Sequence, residues 1–463
     1  MQLSKIQWWG SLCLGAVFLC LPACYNLLPL WHRQTPAYME AGFDNELSAS
    51  VVWTYGAFLR HVSLAESLWL VIFVQGLLMT ATIYYTFKYV FKTASAWSYL
   101  FYVIAISMTT AVSFHNSHLM PDIFTPIMIL SGGILLLASS ITKRDNIILS
   151  LLLLIATSMH NTHWSILGIL VIGLSLGSFW KGIQPYYQAI GWTWKKGGWV
   201  LSIGAISYLM IGAVHYSLGG DFRATRGNNF YLFARLWDYN LAQAPLEKYC
   251  SEQSHAICEH VHTSIRGAEY LWGNAEEANL QNQGGWSAEN SALFAQINSE
   301  VLTSSTGIKR YIIKTLEYTF AQVFYAQINP ERFGYEADLV TSIKRFYPAY
   351  SVAGNYSRQH LNSYQKETVA ARSQLQYLVL LFCSIALFFL LFYQKMPPVQ
   401  TLFTIFIVFS LFVNALVVVS GWGYEDHLQS RVAWLLTLPV SWSLLTMLEQ
   451  QNTAWLFNII DIE

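Results

Sequence analysis

The sequence predicts an all-α, polytopic membrane protein with about ten transmembrane helices. Long apolar stretches alternate with polar loops, basic residues concentrate in every second loop, and only 11% of residues are charged while 54% are hydrophobic. Because lipid offers the backbone no hydrogen-bond partners, such stretches fold as helices. Most approach the ~20 residues that a bilayer core requires. The zero net charge gives no reason to expect nucleic acid as a partner.

The apolar stretches define the predicted spans in chain order. They fall at about 10–30, 67–87, 97–113, 122–142, 146–159, 164–180, 198–216, 375–394, 400–421 and 432–448. The positive-inside rule then places both termini in the cytoplasm, because these lysines and arginines share alternate loops: Lys5, Lys88, Lys92, Lys143, Arg144, Lys181, Lys195, Lys196 and Lys395. The fifth and sixth stretches are short and separated only by residues 160–163, so a single broken or re-entrant hairpin, giving eight spans, is the alternative.

The chain divides into three blocks. Residues 1–216 form a seven-span module with a first outer loop at 31–66, residues 217–374 form a mainly helical extracytoplasmic lobe, and residues 375–463 form a three-span block. An amphipathic run from Ile308 to Phe324 supports a helical lobe.

Two of the six cysteines lie in a polar loop of that lobe. If the loop is extracytoplasmic, Cys250 and Cys258 are expected to form a disulfide, with metal binding by the two thiolates as the alternative. The other four lie in apolar stretches, where a cysteine packs as a small hydrophobic residue.

The predicted span interiors contain no Asp, Glu, Lys or Arg. Ion-coupled transporters usually place ionisable groups or broken helices near the midplane, where the coupling ion binds. The sequence therefore disfavours a secondary transporter.

Polar residues concentrate instead where spans meet the outer face, and all twelve histidines fall on that side. The four clusters are Asp44 with Glu46, His115 with His118 and Asp122, His160 with His163, and Glu425, Asp426 and His427 with Arg431. Each also has a structural interpretation. Asp44 and Glu46 could be an acidic pair at a helix N-terminus, and Asp122 a helix start after Pro121. The histidines could be solvated helix ends, and residues 425–431 a polar turn between two spans. Brought together, they would offer acids for proton abstraction and arginine for phosphate.

This arrangement resembles the membrane-embedded glycosyltransferases of the GT-C superfamily, which use lipid-phosphate-linked sugars. Those proteins share a seven-span module with an acidic first outer loop, which Asp44 and Glu46 match here. Met120, Pro121 and Asp122 resemble the acidic start of the family's fourth span, and residues 217–374 match its large outer loop. The resemblance covers roughly residues 1–374 and rests on topology more than on motifs.

The resemblance implies transfer of a sugar from a polyprenyl-phosphate donor to a glycan or lipid acceptor, at the outer face of a bacterial cytoplasmic membrane. Asp44, with Glu46 and Asp122, would be catalytic, with Asp44 deprotonating or positioning the acceptor hydroxyl. Arg60, Arg223, Arg226 and Arg431 are candidates for the leaving phosphate, because a guanidinium presents a planar fork of donors. Further substrate contacts are expected from the remaining polar residues of the clusters, namely His115, His118, His163, Asp426 and His427.

Three other functions remain open. The sequence identifies no cofactor with certainty, but a divalent metal such as zinc is possible on His115, His118, Asp122, His160 and His163. An extracytoplasmic acyl- or phosphotransferase would use His427 or His118 as a general base. A non-enzymatic scaffold or sensor would use the histidines to respond to pH. A glycosyltransferase predicts a deep outer cavity continuous with a lipid-facing groove, zinc chemistry predicts bound metal, and a scaffold predicts neither.

Overall fold

The computed structural model describes residues 5–48, 51–92, 96–225, 227–262, 267–272, 280, 284–328, 337–354, 356–361, 366–393, 396–421 and 426–444. Within these ranges the chain forms helices joined by turns and contains no β-strand; the one isolated bridge joins Leu30 and His118. The predicted all-α class is confirmed.

The first half of the chain forms twelve α-helices in its described part. These are α1 (Lys5–Leu19), α2 (Leu21–Asn26), α3 (Thr35–Phe43), α4 (Trp53–Ser63), α5 (Leu68–Thr86), α6 (Ala96–Thr109), α7 (Val112–Ser117), α8 (Phe124–Leu137), α9 (Lys143–Ser158), α10 (His163–Gly177), α11 (Gln184–Ala189) and α12 (Trp194–Ser217). A π-helical turn, Phe87–Phe91, extends α5, and a 3-10 turn, Pro121–Ile123, leads into α8.

The second half continues as helices. These are α13 (Asn228–Asp238), α14 (Gln243–Glu252), α15 (Gly267–Trp272), α16 (Ala288–Thr303), α17 (Ser305–Val323), α18 (Ala337–Phe346), α19 (Pro348–Gly354), α20 (Lys366–Tyr393), α21 (Pro398–Gly421) and α22 (Asp426–Ala433). The described part of this half also contains the 3-10 turns Ala256–His260 and Trp434–Leu436, and residues 437–444 are again helical.

In the described part of the chain, four helices are long and apolar enough to cross a membrane. They are Leu68–Phe91, Trp194–Ser217, Thr368–Phe392 and Pro398–Gly421. Four more apolar helices are shorter: Gln7–Leu19, Trp97–Thr109, Pro121–Leu137 and His163–Gly177. The protein is therefore a helical membrane protein, and the count of ten spans stays a prediction.

The first predicted span is interrupted by proline. Helix α1 ends at Leu19, and α2 begins with Pro22 in its first turn and ends where Leu27 adopts φ 70°. Proline suits a first helical turn because its missing N–H would be unpaired there anyway. The apolar stretch at 10–30 is consequently two helices rather than one.

Helix α8 is the centre of the membrane bundle. All fourteen of its residues are buried, against α5, α9 and α21 among others. A helix that is apolar all round is expected to be enclosed on every side. The start of α8 therefore places Asp122 in the interior of the protein.

Residues of α13 to α16 form a hydrophobic core separate from that of the bundle. Phe233 and Phe294 stack with ring centroids 4.1 Å apart, and Trp237 and Tyr270 pack beside them. Cys250 and Cys258 form a disulfide, so that prediction is confirmed.

The α3–α4 hairpin depends on two glycines that bring the helix backbones into contact. A Cβ built on Gly56 would lie 2.5 Å from the carbonyl oxygen of Tyr38 and 2.7 Å from the Gly42 nitrogen. Both neighbours are backbone atoms, so the helices would have to separate. This close approach fixes the position of the first outer loop.

We expect Gly56→Ala to lower the free energy of unfolding by about 1–3 kcal/mol, the usual cost of overpacking. Gly168→Ala is the matched control, because a Cβ on Gly168 meets nothing within 4 Å. Alanine's better helix propensity should leave that variant unchanged or slightly more stable. Thermal unfolding of both variants in one detergent makes the comparison, and equal midpoints would contradict the close-packing argument.

Candidate functional site

A buried ion pair lies at the start of α8. The Arg431 Nη1 donates to the Asp122 Oδ1 at 3.1 Å, and its Nη2 donates to the Asn414 Oδ1 at 3.0 Å. The Arg431 side chain is 0% exposed and that of Asp122 is 5% exposed. The pair thus joins α8, α21 and α22 without reaching solvent.

Two neighbouring residues complete this cluster. The His115 Nδ1 lies 4.0 Å from the Asp122 Oδ2, and its Nε2 forms a hydrogen bond with the Ser430 hydroxyl at 2.9 Å. Burial, together with the Arg431 charge, lowers the pKa of His115 to about 3. His115 is therefore neutral at physiological pH, and the cluster's charge is that of the Asp122–Arg431 pair.

His160 and His163 lie at the turn between α9 and α10. Their rings are 5.4 Å apart. The His163 Nδ1 donates to the Ala156 carbonyl at 2.6 Å, so its Nε2 accepts from the Thr125 hydroxyl at 2.9 Å. Burial and then the Arg431 charge lower the pKa of His160, which places this turn within the electrostatic reach of the ion pair.

The α3–α4 hairpin covers this cluster with tyrosines rather than with acids. Tyr38 of α3 and Tyr55 of α4 pack edge to face at 4.8 Å, and Tyr55 contacts Phe124, two residues after Asp122. The Tyr55 hydroxyl donates to Gln75 at 2.8 Å. Burial and the Asp122 charge raise the pKa of Tyr38.

Asp44 and Glu46 lie away from this cluster, at the exposed end of α3. Asp44 directly follows the last residue of α3, so the interpretation of these acids as a helix N-terminal pair is wrong. The Asp44 carboxylate pairs with Arg345 of α18, with the Nη2–Oδ1 and Nη1–Oδ2 distances both 3.1 Å. Glu46 is exposed. Asp44 therefore forms an ion pair with Arg345 of α18.

The other predicted site residues have separate positions. His118 is partly buried, and its Nδ1 forms a hydrogen bond with the Phe114 carbonyl at 2.8 Å. Arg60 donates to the Gly42 carbonyl at 3.2 Å and lies over the Phe43 ring. Arg226 and Glu425 lie outside the described residues, as do the side chains of Asp426 and His427.

A cavity of about 690 Å³ lies beside the α9–α10 turn, between α10, α12, α13, α17 and α21. Its volume is that of a typical small-molecule site. Aromatic rings, amides and hydroxyls line it together with aliphatic side chains, and Arg223 is its cation. The main lining residues are Asn161, Thr162, Trp164, Ser165, Ile169, Tyr208, Arg223, Asn228, Tyr231, Leu232, Tyr311, Ile312, Thr315, Leu316, Val417 and Ser420.

One side of the cavity is bordered by exposed residues of α12 and α17. Tyr208 of α12 and both Ile312 and Leu316 of α17 line the cavity and are exposed. Helix α12 is one of the four candidate spans. We call this exposed edge, formed by Tyr208, Ile312 and Leu316, the portal. Its apolar edge suits contact with lipid chains.

The segment between α3 and α4 reaches the wall of the same cavity. Val52, just before α4, packs with Ala224 and Trp164, which both line the cavity. The next residue but one, Thr54, donates through its hydroxyl to the Ser158 carbonyl. Asp44 and Val52 lie at the two ends of the segment that joins α3 to α4, so the exposed acid belongs to the loop that borders the cavity.

The sequence did not predict three polar residues that bond to Arg431, Tyr55 and Asp44. Asn414 is an amide in the middle of the apolar run at 400–421, and that position was the available signal. Gln75, which bonds Tyr55 and the Asn116 carbonyl, is a similar amide within a span. Arg345 carried no signal, because its role depends on α18 packing against a loop about 300 residues earlier.

In the part of the chain that the structure describes, no three His, Cys, Asp or Glu side chains are placed to hold a metal ion. The zinc interpretation stays a prediction. No protein-family model, curated protein or solved structure matches the chain. The resemblance to GT-C glycosyltransferases therefore also stays a prediction.

Proposed function

We propose that this protein is a membrane glycosyltransferase of GT-C type that transfers a sugar from a polyprenyl-phosphate donor to an acceptor at the outer membrane face. The observation that carries the proposal is the cavity with its portal between α12 and α17. It combines an apolar entrance with a polar, aromatic interior, as a substrate with a lipid tail and a sugar head requires.

The chemistry of the lining supports this assignment. Ile312, Leu316 and Ile169 offer an apolar path for an isoprenoid chain. Tryptophan and tyrosine rings present flat apolar faces and hydrogen-bonding groups at once, which suits a sugar. Arg223 is the cation of the lining, and its guanidinium suits the phosphate that links sugar to lipid.

Asp44 is the proposed base. It lies at one end of the segment whose other end borders the cavity, and its side chain is 31% exposed. In the transfer step the acceptor hydroxyl oxygen attacks the anomeric carbon and the carbon–oxygen bond to phosphate breaks. The hydroxyl proton passes to Asp44, and polyprenyl phosphate leaves beside Arg223. Glu46, exposed on the same loop, is proposed to assist in placing the acceptor.

Asp122 and Arg431 have a positioning role in this proposal. Both are enclosed and bonded to each other, so neither touches a substrate in this arrangement. They hold α22 and α21 against the start of α8, and α21 forms part of the cavity wall. The shape of the cavity then depends on the Asp122–Arg431 ion pair, which takes no part in the reaction itself.

The proposal includes a topology. Ten spans would place both termini in the cytoplasm of a bacterial cell and residues 217–374 outside, as an extracytoplasmic lobe. The Cys250–Cys258 disulfide supports an outer location for that part, since disulfides persist in oxidising compartments. Labelling single cysteines in α14 and in the 138–143 loop with a membrane-impermeant reagent tests it.

We expect Arg223→Gln to weaken binding of polyprenyl phosphate about ten-fold or more, because charged hydrogen bonds contribute about 1.5–3 kcal/mol each. Arg310→Gln is the matched control, since Arg310 is exposed on α17 and does not line the cavity. The measurement is saturation binding to purified protein in lipid nanodiscs, followed by a screen of sugar donors.

Equal losses in the two arginine variants would remove Arg223 from the site. Absence of saturable binding by the wild-type protein would overturn the proposal as a whole.

A further inference from the structure

Helices α18 and α19 lie as a hairpin on the first outer loop. The Phe346 ring stacks on Phe43 at 4.9 Å, and the Tyr347 ring packs edge to face on the same phenylalanine at 5.4 Å. The Tyr347 hydroxyl bonds that of Ser63 at 2.7 Å. The loop that carries Asp44 is thus covered by α18 and α19, which lie about 300 residues later in the sequence.

Buried hydrogen bonds hold the chain at Gln359, shortly after α19. The Gln359 side chain accepts from the Trp31 N–H at 3.0 Å and donates to the Trp31 carbonyl at 2.8 Å. Its own N–H donates to the Asn26 side chain at 2.8 Å. Gln359 is 2% exposed, so these bonds are protected from water.

The ion pair at the Asp44 side is weak by itself. Arg345 lies over the Phe346 ring and beside both Asp44 oxygens, but its side chain is 61% exposed. Exposed ion pairs typically contribute only ~0–1 kcal/mol. The segment is therefore held at Gln359 by buried hydrogen bonds and at Phe43 by ring packing, to which the Arg345–Asp44 pair adds little.

We propose that α18 and α19 form a strap whose Arg345 occupies Asp44 at rest, and that Arg345 must leave Asp44 before the acid can accept an acceptor's proton. The Asp44 Oδ1 already accepts a guanidinium N–H, and its Oδ2 lies 3.1 Å from the other terminal nitrogen, so the guanidinium competes with a hydroxyl for the same carboxylate. Arg345 is a positioning residue in this account, acting through Asp44. The role of Asp44 as the base rests on the proposed function. The contact between Arg345 and the Asp44 carboxylate does not depend on that function.

The first test measures the carboxylate directly. A water-soluble carbodiimide with an amine modifies accessible carboxylates, and mass spectrometry of the peptide that holds Asp44 and Glu46 gives the ratio of their modification rates. We expect Arg345→Gln to raise the Asp44 rate relative to Glu46 about five-fold, Arg345→Lys to raise it less, and the neighbouring control Lys344→Gln to leave it unchanged. An unchanged ratio in Arg345→Gln would overturn the strap, whether or not the protein transfers sugar.

The second test locks the strap. Cysteines replacing the stacked Phe43 and Phe346 should form a disulfide on mild oxidation, in a background without the four free cysteines, Cys13, Cys20, Cys24 and Cys383. We expect the locked protein to bind polyprenyl phosphate as before but to transfer sugar at least about ten-fold more slowly, with recovery after mild reduction. The two single-cysteine variants, oxidised in the same way, are the controls.

The outcomes separate the two proposals. Unchanged transfer by the locked protein would overturn the strap and leave the glycosyltransferase standing. If no variant binds polyprenyl phosphate or transfers sugar, the glycosyltransferase fails, and the carbodiimide ratio alone decides whether Arg345 guards Asp44.

Discussion

Replacing Arg431 with methionine is expected to destabilise the protein by about 3–5 kcal/mol, because Asp122 would keep a buried charge without its partner. The distance between the charged groups, 3.1 Å, and the complete burial of the guanidinium leave water no route to compensate. The loss should appear as a large drop in the thermal unfolding midpoint in detergent and in a smaller monodisperse fraction.

The double variant Asp122→Leu with Arg431→Met tests the reason for that loss. Replacing both members of a buried pair by apolar residues of similar size is often neutral or stabilising. We therefore expect the double variant to recover most of the stability that Arg431→Met loses, and a double-mutant cycle to show strong coupling between the two positions. Arg310→Met, on an exposed position, is the control and should change stability by less than about 0.5 kcal/mol.

If Arg431→Met were no less stable than the Arg310→Met control, the pair would not fasten α22 to the start of α8. The same series separates structure from chemistry. A double variant that is stable and still binds polyprenyl phosphate would show that the pair positions the cavity wall and does not contact the donor.

Filling the portal should block entry of a lipid substrate. Leu316→Trp places a larger ring at the edge shared by the cavity and the outer surface, where Leu316 is 41% exposed. We expect polyprenyl-phosphate affinity to fall about ten-fold or more, which corresponds to about 1.4 kcal/mol. Stability should change little, because the side chain projects from an exposed position.

Ile313→Trp is the matched control for the portal. Ile313 is the neighbouring exposed aliphatic residue on α17, 52% exposed, and does not line the cavity. Saturation binding in nanodiscs with both variants gives the comparison, with a short-chain soluble analogue as a second ligand. Equal affinities of the two tryptophan variants for the long-chain lipid would show that it does not pass between α12 and α17.

The structure brings some of the predicted polar clusters together and leaves Asp44 and Glu46 apart, for a physical reason. His115, Asp122 and Arg431 converge because α7, the turn before α8 and α22 pack against one another. His160 and His163 lie close by, at the turn between α9 and α10. Asp44 and Glu46 stand apart because they follow the C-terminal end of α3, a mostly buried helix whose close contact with α4 depends on Gly42 and Gly56.

Sequence by itself determined that this is an all-helical membrane protein, with polar residues gathered at helix ends and a disulfide between Cys250 and Cys258. These properties follow from local pattern, since a long apolar run must satisfy its backbone internally and nearby cysteines need no distant partner. Only the tertiary structure decided that Arg431 pairs with Asp122, that Arg345 pairs with Asp44, and that α12 and α17 border one cavity. Each of these joins segments 100 to 300 residues apart, and such contacts are set by how helices pack rather than by any spacing along the chain.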